Sequence, residues 1–344
     1  MKFAIGYRQT ESGEPFQNIV SDYRGAVAEV YFPWPGLPTG RPAFGTSRGA
    51  RDWSAQAELE EELSVLRGMG VKLDLLFNAN CYGARAVGED LRREVESVLS
   101  YLEELELLPE IVTTASPFIA WAVKAAFPSV ETRASVNMRI DSVAAMEFLS
   151  DLFDSFHIRR DLQRDPETVA KFHAWCAGHG KKLCMLANSG CLRCCPFQTF
   201  HDNLLGHDAE IAAHANVKEF HPHLCRKLYA DKRNVLAFLR STWLRPEDLA
   251  EYEPFFDVVK LATRTHPNPR MVLGAYASGH FSGNLFDLTE PGFSGTFAPY
   301  VMDNRQFPPE WKEVLHCKEM RDCTGEGCGK CSKILERVFH SWKE

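Results

Sequence analysis

The chain has 344 residues, 45% of them hydrophobic and 25% charged, and a formal net charge of −7. These values are ordinary for a globular protein and indicate one large α/β domain, alone or with an appendage. The acidic balance disfavours nucleic acid as the main partner, because phosphate binding favours a basic excess. No apolar run approaches the ~18 residues that a membrane span needs, and no signal peptide is recognisable, so we expect a cytoplasmic protein.

Short apolar runs alternate with helical segments along the chain. Helices are predicted at about residues 54–66, 89–107, 117–127, 142–152 and 166–179, and strands at residues 3–7, 26–32, 71–77, 110–113, 132–136, 156–160, 182–187 and 256–262. Eight strands, each followed by a helix or a long excursion, favour a (β/α)8 TIM-like barrel. The alternative is an open doubly wound sheet, which no dinucleotide-binding or phosphate-loop glycine pattern supports.

The predicted division is a barrel domain at 1–300, with an insertion after strand seven, and a Cys-rich C-terminal extension at 301–344. Catalytic residues of such barrels lie at the carboxyl ends of the strands. Cys81 follows strand three, Cys191 and Cys195 follow strand seven, and Cys225 lies in the insertion. The sequence therefore predicts that these thiols meet on one rim of the barrel.

The chain contains eleven cysteines, most of them in groups, and grouped thiols in a reducing compartment are more often metal ligands or catalytic than disulfides. Cys191 and Cys195 can reach one centre from a single loop, and Cys225 and Cys81 complete the four thiolates usual for a [4Fe–4S] cluster. Zinc or unliganded thiols are the alternatives. Cys194 is a rival partner for Cys191, whereas Cys176 and Cys184 are predicted to be buried apolar residues.

A second group of cysteines lies in the C-terminal extension. Its members are Cys317, Cys323, Cys328 and Cys331, interleaved with Gly325, Gly327 and Gly329, which permit tight turns. The spacing echoes that of ferredoxins and predicts a second [4Fe–4S] cluster, with structural zinc as the alternative. Its expected role is electron relay to the rim cluster or local folding of the extension.

Several stretches resemble one known family. They are NSGCLRCCPFQTFH at 188–201, TWLRPEDL at 242–249 with Tyr252, VKLATR at 259–264 and GNL at 283–285. In this order they resemble motifs of the U32 family, long labelled collagenase-like peptidases; Thr263 stands where that family usually has glycine. The resemblance implies a barrel-like fold and a [4Fe–4S] cluster held by four cysteines. Members include oxygen-independent hydroxylation proteins of ubiquinone synthesis, RNA hydroxylation factors and proteins called proteases.

Five further residues are candidates for catalysis at the rim. His201 lies in the family-like motif and is expected beside the cluster, whereas the nearby histidines at 207, 214, 221 and 223 are interpreted as part of a polar excursion. Lys260 and Arg264 could bind an anionic group of a substrate, or pair with Glu247 or Asp248.

Glu29 could be an interior carboxylate suited to proton transfer, or a paired or solvated one. Arg8 ends strand one and points toward the same rim. The aromatic run at 31–38 could form a pocket wall for a flat substrate, or a lid on the core.

The sequence thus predicts an iron–sulfur enzyme of the U32 type that carries out oxygen-independent hydroxylation, or a related redox modification, of a small aromatic or cyclic substrate. An electron-donor protein is an expected partner, and a hetero-oligomer with a related protein is an alternative assembly. The alternative functions are RNA base hydroxylation, peptide hydrolysis and a non-catalytic electron-transfer or scaffold role. Peptide hydrolysis needs a nucleophile or a hydrolytic metal, and neither a G-x-S-x-G nor an H-E-x-x-H motif is present.

Overall fold

A computed structural model describes residues 1–9, 14–41, 44, 46–47, 50–323 and 328–342. Eight parallel strands are joined in one sheet: β1 (Lys2–Gly6), β2 (Val27–Pro33), β3 (Lys72–Phe77), β4 (Ile111–Thr114), β5 (Glu131–Ala134), β6 (Ser155–His157), β7 (Lys182–Cys184) and β8 (Val258–Lys260). The sheet curls into a barrel, because the segment after β7 bonds to β8: Lys260 N donates to Met185 O (2.9 Å) and Ala187 N donates to Lys260 O (3.0 Å). The predicted (β/α)8 barrel is confirmed, and the open sheet is excluded.

Fourteen helices are present in the described part of the chain. They are α1 (Phe16–Asp22), α2 (Trp53–Gly68), α3 (Glu89–Glu104), α4 (Pro117–Ala126), α5 (Val143–Phe148), α6 (Pro166–Gly178), α7 (Gln198–Gly206), α8 (Asp208–Ala212), α9 (Leu224–Tyr229), α10 (Val235–Leu239), α11 (Pro269–Ser278), α12 (Ser294–Phe297), α13 (Trp311–Leu315) and α14 (Lys330–Val338). Helices α7 to α10 form the predicted insertion between β7 and β8. None of the described helices has the length and apolar character of a membrane span.

Local side-chain bonds explain where several elements begin or end. Helix α2 begins after Asp52, whose carboxylate accepts bonds from the backbone N–H groups of Ser54 and Ala55. Strand β5 ends two residues earlier than predicted, because the Ser135 side chain caps a short 3-10 turn by accepting from Asn137 N. These short turns at the strand ends bring polar residues to the carboxyl rim.

The C-terminal extension packs against the barrel through a helix and a strand. Helix α14 buries Ile334 and Val338, and the strand β10 (Phe339–Ser341) pairs antiparallel with β9 (Tyr300–Met302). The boundary predicted at residue 300 therefore coincides with the start of β9. Gly329 has a positive φ of 63°, which glycine adopts without steric penalty, whereas Gly325 and Gly327 lie outside the described residues.

Candidate active site at the barrel rim

A cavity of about 740 Å³ opens at the carboxyl ends of the strands. Three of the predicted ligands, Cys191, Cys195 and Cys225, line it together with His201. Loops from several strands also contribute Arg41, Arg160, Phe197, His223, Thr265, His266 and Glu290. The cavity volume falls within the ~300–1,000 Å³ that is typical of small-molecule sites.

Arg160 provides the polar contact that holds Cys191. It follows β6, is only 7% exposed, and its Nη1 donates to Cys191 Sγ (3.0 Å) while its Nη2 donates to Asn137 Oδ1 (3.1 Å). Its buried Nε has no hydrogen-bond partner among the described residues. A fixed guanidinium against sulfur favours a thiolate at Cys191, because the opposite charge stabilises the ionised form.

The two other cavity thiols are protonated in the metal-free protein at neutral pH. Burial raises the pKa of Cys195, and burial followed by the neighbouring Cys191 raises the pKa of Cys225 to about 11. A metal ion reverses this preference, since thiols lose their protons when they coordinate.

His201 pairs with a second histidine that sequence reasoning did not single out. The rings of His201 and His223 meet edge to face, with their centroids 4.6 Å apart. Burial, followed by repulsion from His223, lowers the pKa of His201 to about 4, so its ring is neutral at neutral pH. A neutral imidazole can ligate a metal or accept a proton.

The pKa of His201 predicts a pH dependence of stability. The folded-state pKa of about 4 lies below the ordinary value of 6.5, so the unfolded state binds the proton more tightly. Stability should therefore fall as the pH drops from 6.5 to 4, and His201→Gln should flatten this dependence in urea unfolding at pH 4.5 and 7. His214→Gln, at an exposed position, is the control. An unchanged slope in His201→Gln would show that this histidine does not contribute to the pH dependence.

The barrel interior below the cavity contains a buried charge network. Arg133 donates to both carboxylate oxygens of Glu29 (2.6 and 3.1 Å) and to Glu131 (3.0 Å), and Asp74 lies 3.7 Å from its Nη1. Glu29 is thus in the paired arrangement, bound to a permanent cation. Burial raises the pKa of Asp74 to about 6, which makes Asp74 the interior carboxyl closest to physiological titration.

Lys260 and Arg264 are both held close to the second strand. Lys260 lies over the Tyr31 ring (3.8 Å from Nζ to the centroid), and burial lowers its pKa to about 8. Arg264 Nη2 donates to Thr39 Oγ1 (2.9 Å), while its buried Nη1 has no partner in the described structure. Both side chains line a small void of about 60 Å³ that also contacts Arg160.

The alternative pairing of these two cations with Glu247 or Asp248 is wrong. Asp248 forms a two-pronged bond with Arg245, and Glu247 accepts from Asn304 Nδ2 (2.8 Å). Both acids are therefore used in the packing of the loop that follows α10. Arg8 also has a backbone partner, the carbonyl oxygen of His266, and does not line the cavity.

Thr263 forms bonds that the glycine usual in the family could not. Its hydroxyl oxygen accepts from Gly6 N (2.7 Å), and its backbone N–H donates to the Tyr31 hydroxyl (3.2 Å). The departure at this position thus adds a bond between β1 and the segment after β8.

The structure does not bring Cys81 to the cavity. Its backbone packs against Gly206, at the end of α7, whereas Cys195 bonds to Gln198 at the start of this helix. The length of α7 places about 12 Å between the two positions. Cys81 instead bonds to His207, which with Gly83 N–H lowers the pKa of the Cys81 thiol, and His207 Nδ1 lies 3.0 Å from Glu210 Oε2.

The cysteines of the extension lie on another side of the same loop. Cys317 lines a separate cavity of about 470 Å³, which is also lined by Cys194. Cys323 is half-buried and Cys328 is exposed, whereas Cys331 is buried with the core residues of α14. The predicted buried character of Cys176 and Cys184 agrees with their positions in α6 and β7.

The rim residues fit a thiophilic metal centre in chemistry and placement. Three thiols and two imidazoles face one cavity, and Arg160 supplies both a sulfur contact and an unused buried N–H. The described residues contain no set of three or more His, Cys, Asp or Glu already gathered around one point. Binding would therefore require the cysteine side chains to rotate toward a common centre.

Two comparisons with known proteins bear on this site. Over 306 residues the chain is 23% identical to an uncharacterized protease, MJ1657, of Methanocaldococcus jannaschii, covering 87% of each chain. The fold is similar to that of the U32 peptidase Mk0906, with a TM-score of 0.54 and 16% identity over 78% of this chain and 94% of the other. No family model matches the chain. Both comparisons support the resemblance to the U32 family that the sequence motifs carry.

Proposed function

We propose that this chain is an iron–sulfur enzyme that modifies a small aromatic or cyclic substrate at the barrel rim, by oxygen-independent hydroxylation or a related redox reaction. The observation that carries the proposal is the convergence of Cys191, Cys195 and Cys225 with a neutral histidine pair on one cavity of about 740 Å³. The three thiols would hold a [4Fe–4S] cluster, which supplies one-electron chemistry when bound. Because Cys81 lies elsewhere, one iron would remain for His201, His223 or substrate.

The protein's own residues have definable roles in this proposal. Arg160 stabilises negative charge on Cys191 and orients it through Asn137. His201, neutral at physiological pH, can accept a proton from a substrate in the cavity. Phe197 and Leu192 give the cavity apolar surface suited to a flat ring.

The charges at the cavity favour a small substrate over RNA. Three lining arginines, at positions 41, 160 and 226, are interspersed with Asp202, Asp287 and Glu290. Phosphate backbones are bound by surfaces with a clear basic excess, which this mixture does not provide.

Spectroscopy of the reduced protein tests this choice of substrate. The anaerobically purified chain would be reduced and its EPR spectrum recorded with a panel of small aromatic and cyclic compounds, and separately with total tRNA. We expect at least one small compound to shift the cluster signal and tRNA to leave it unchanged. A shift with tRNA alone would favour RNA modification, and an unperturbed signal throughout would contradict a substrate site beside the cluster.

A separate observation favours peptide hydrolysis as a second candidate function. Cys81, His207 and Glu210 form a thiol–imidazole–carboxylate chain at the end of β3, and the relative in Methanocaldococcus jannaschii is named a protease. In such a chain the thiolate attacks a peptide carbonyl, the imidazole passes a proton to the leaving amine, and water hydrolyses the thioester.

Alkylation of Cys81 measures whether this chain activates the thiol. With iodoacetamide at neutral pH, followed by peptide mass spectrometry, we expect His207→Ala to slow modification of Cys81 by about tenfold, since the imidazole favours the thiolate. His214→Ala is the matched control from the same exposed region and should leave the rate unchanged. Equal rates in wild type and His207→Ala would remove the physical basis for the peptidase candidate.

A further inference from the structure

The loop that carries the rim thiols also directs one thiol to the opposite side. Cys191 and Cys195 line the rim cavity, whereas Cys194 lines the second cavity together with Cys317. Cys194 has a positive φ of 52°, which is uncommon for a residue other than glycine, and its N–H donates to Asp161 Oδ1 (2.9 Å). This backbone conformation separates Cys194 from its neighbours and turns it toward the extension.

Two arginines form the protein side of this second cavity. Arg164 is 2% exposed and donates to the carbonyl oxygens of Trp243 and Leu239, and Arg193 donates to the carbonyl oxygen of Arg240 (3.1 Å). Neither arginine has a carboxylate within 4 Å in the part of the chain that the structure describes, and the buried Nη2 of Arg193 has no partner there. Two neighbouring buried cations with backbone partners call for an anionic group nearby.

The thiols of the extension are the groups placed to supply this negative charge. Cys194 and Cys317 both lie within electrostatic range of Arg193. Cys317 and Cys328 both lie within range of Lys330, the first residue of α14. Cys317 is therefore the shared neighbour that links Cys194 to the thiols of the extension.

Cys331 differs from these residues in its surroundings. It is 5% exposed and belongs to the hydrophobic core with Ile334 and Val338, and it does not line the cavity. A free cysteine in such surroundings behaves as a small apolar residue. The fourth cysteine predicted for the extension is thus in a packing position.

We propose that Cys194, Cys317, Cys323 and Cys328 bind one thiophilic metal centre, either zinc or [4Fe–4S], and that Cys331 packs in the core. Four thiolates outnumber the positive charge of either centre, so the bound site carries the net negative charge that Arg164 and Arg193 lack. Cys194 and Cys195 are consecutive residues, so a single peptide unit would join this site to the rim. The inference rests on the proposed metal chemistry of the extension and is separable from that of the rim.

Metal content of full-length variants tests the assignment. Wild type, Cys194→Ser, Cys331→Ser and Cys195→Ser would be purified anaerobically, and iron, sulfide and zinc measured together with EPR. We expect Cys194→Ser to lose about one zinc, or about four irons, per chain while keeping the rim signal. Cys331→Ser should keep both centres, and Cys195→Ser should lose only the rim signal. Circular dichroism should show Cys194→Ser folded, because this side chain is exposed.

The other outcomes separate this inference from the proposed function. Retention of all metal in Cys194→Ser, with loss in Cys331→Ser, would overturn the ligand assignment. Loss of the rim signal in Cys194→Ser would place Cys194 at the rim and would equally overturn it. If wild type carries no rim iron but holds a metal that depends on Cys194 and Cys317, the proposed function fails and the inference stands.

Discussion

Cys191→Ser is expected to abolish the EPR signal of the rim cluster and to lower the iron content by about four atoms per chain. The reason is that Cys191 lines the cavity and is the thiol whose ionised form Arg160 supports. Iron and sulfide quantitation with EPR, on anaerobically purified protein, provides the measurement. Cys176→Ser is the matched control, because this thiol is buried in α6 away from both cavities, and it should keep the full iron content.

Arg160→Met extends this prediction to the residue behind the ligand. Partners that orient a metal ligand change affinity by about 10–100-fold when they are removed, so the cluster should be lost faster to a chelator. Iron that is retained in Cys191→Ser would contradict the rim assignment. Loss of iron from Cys176→Ser would instead indicate general unfolding.

Arg133→Met is expected to produce the largest loss of stability of any single change considered, about 3–5 kcal/mol. Arg133 bonds to Glu29 and Glu131 inside the barrel, with Asp74 close by, so its removal leaves buried carboxylates without their cation. Urea unfolding followed by circular dichroism measures the effect.

Arg93→Met is the control for the loss of an arginine. Arg93 pairs with Glu89 on the surface of α3, where an ion pair contributes about 0.2–1 kcal/mol. If Arg133→Met does not fold, Glu29→Gln keeps the test available, since it removes one carboxylate charge and keeps a side chain of similar size. A loss below about 1 kcal/mol in both interior variants would show that the network is not a structural requirement.

The barrel could be predicted because its evidence is local. Each strand is a short apolar run, such as 71–77, followed by a helix with a recognisable start or stop, and this alternation repeats around the barrel. The ends of strands were less accurate where a polar side chain stops the strand, as Ser135 does after β5. The bond between the segment after β7 and β8 depends on closure of the whole sheet and has no local signature.

The candidate site was predictable in part. The position of Cys191 and Cys195 after β7, and of Arg160 after β6, follows from the rule that strand ends converge on one rim. Cys81 also follows a strand, but α7 lies between it and the cavity, and the path of an insertion is not encoded in the spacing of cysteines. His223 was missed because its meeting with His201 depends on how α7 and α9 fold over the rim.

The division of neighbouring thiols between two cavities depends on one backbone angle. The sequence places Cys191, Cys194 and Cys195 within five residues, so any two of them could have formed a pair. The positive φ of Cys194 decides that it lines the cavity of Cys317. Such a conformation is set by the surrounding bonds, here from Asp161, and not by the residue's own preference.

Metal analysis of the wild-type chain tests the central claim most directly. The chain would be purified without oxygen, and its iron, acid-labile sulfide and zinc determined per polypeptide, with EPR of the reduced sample. The account predicts at least about four irons and four sulfides per chain with a cluster signal, and about eight of each if the extension also holds a cluster. Zinc without iron, or free thiols at Cys191, Cys195 and Cys225 with no metal, would contradict it.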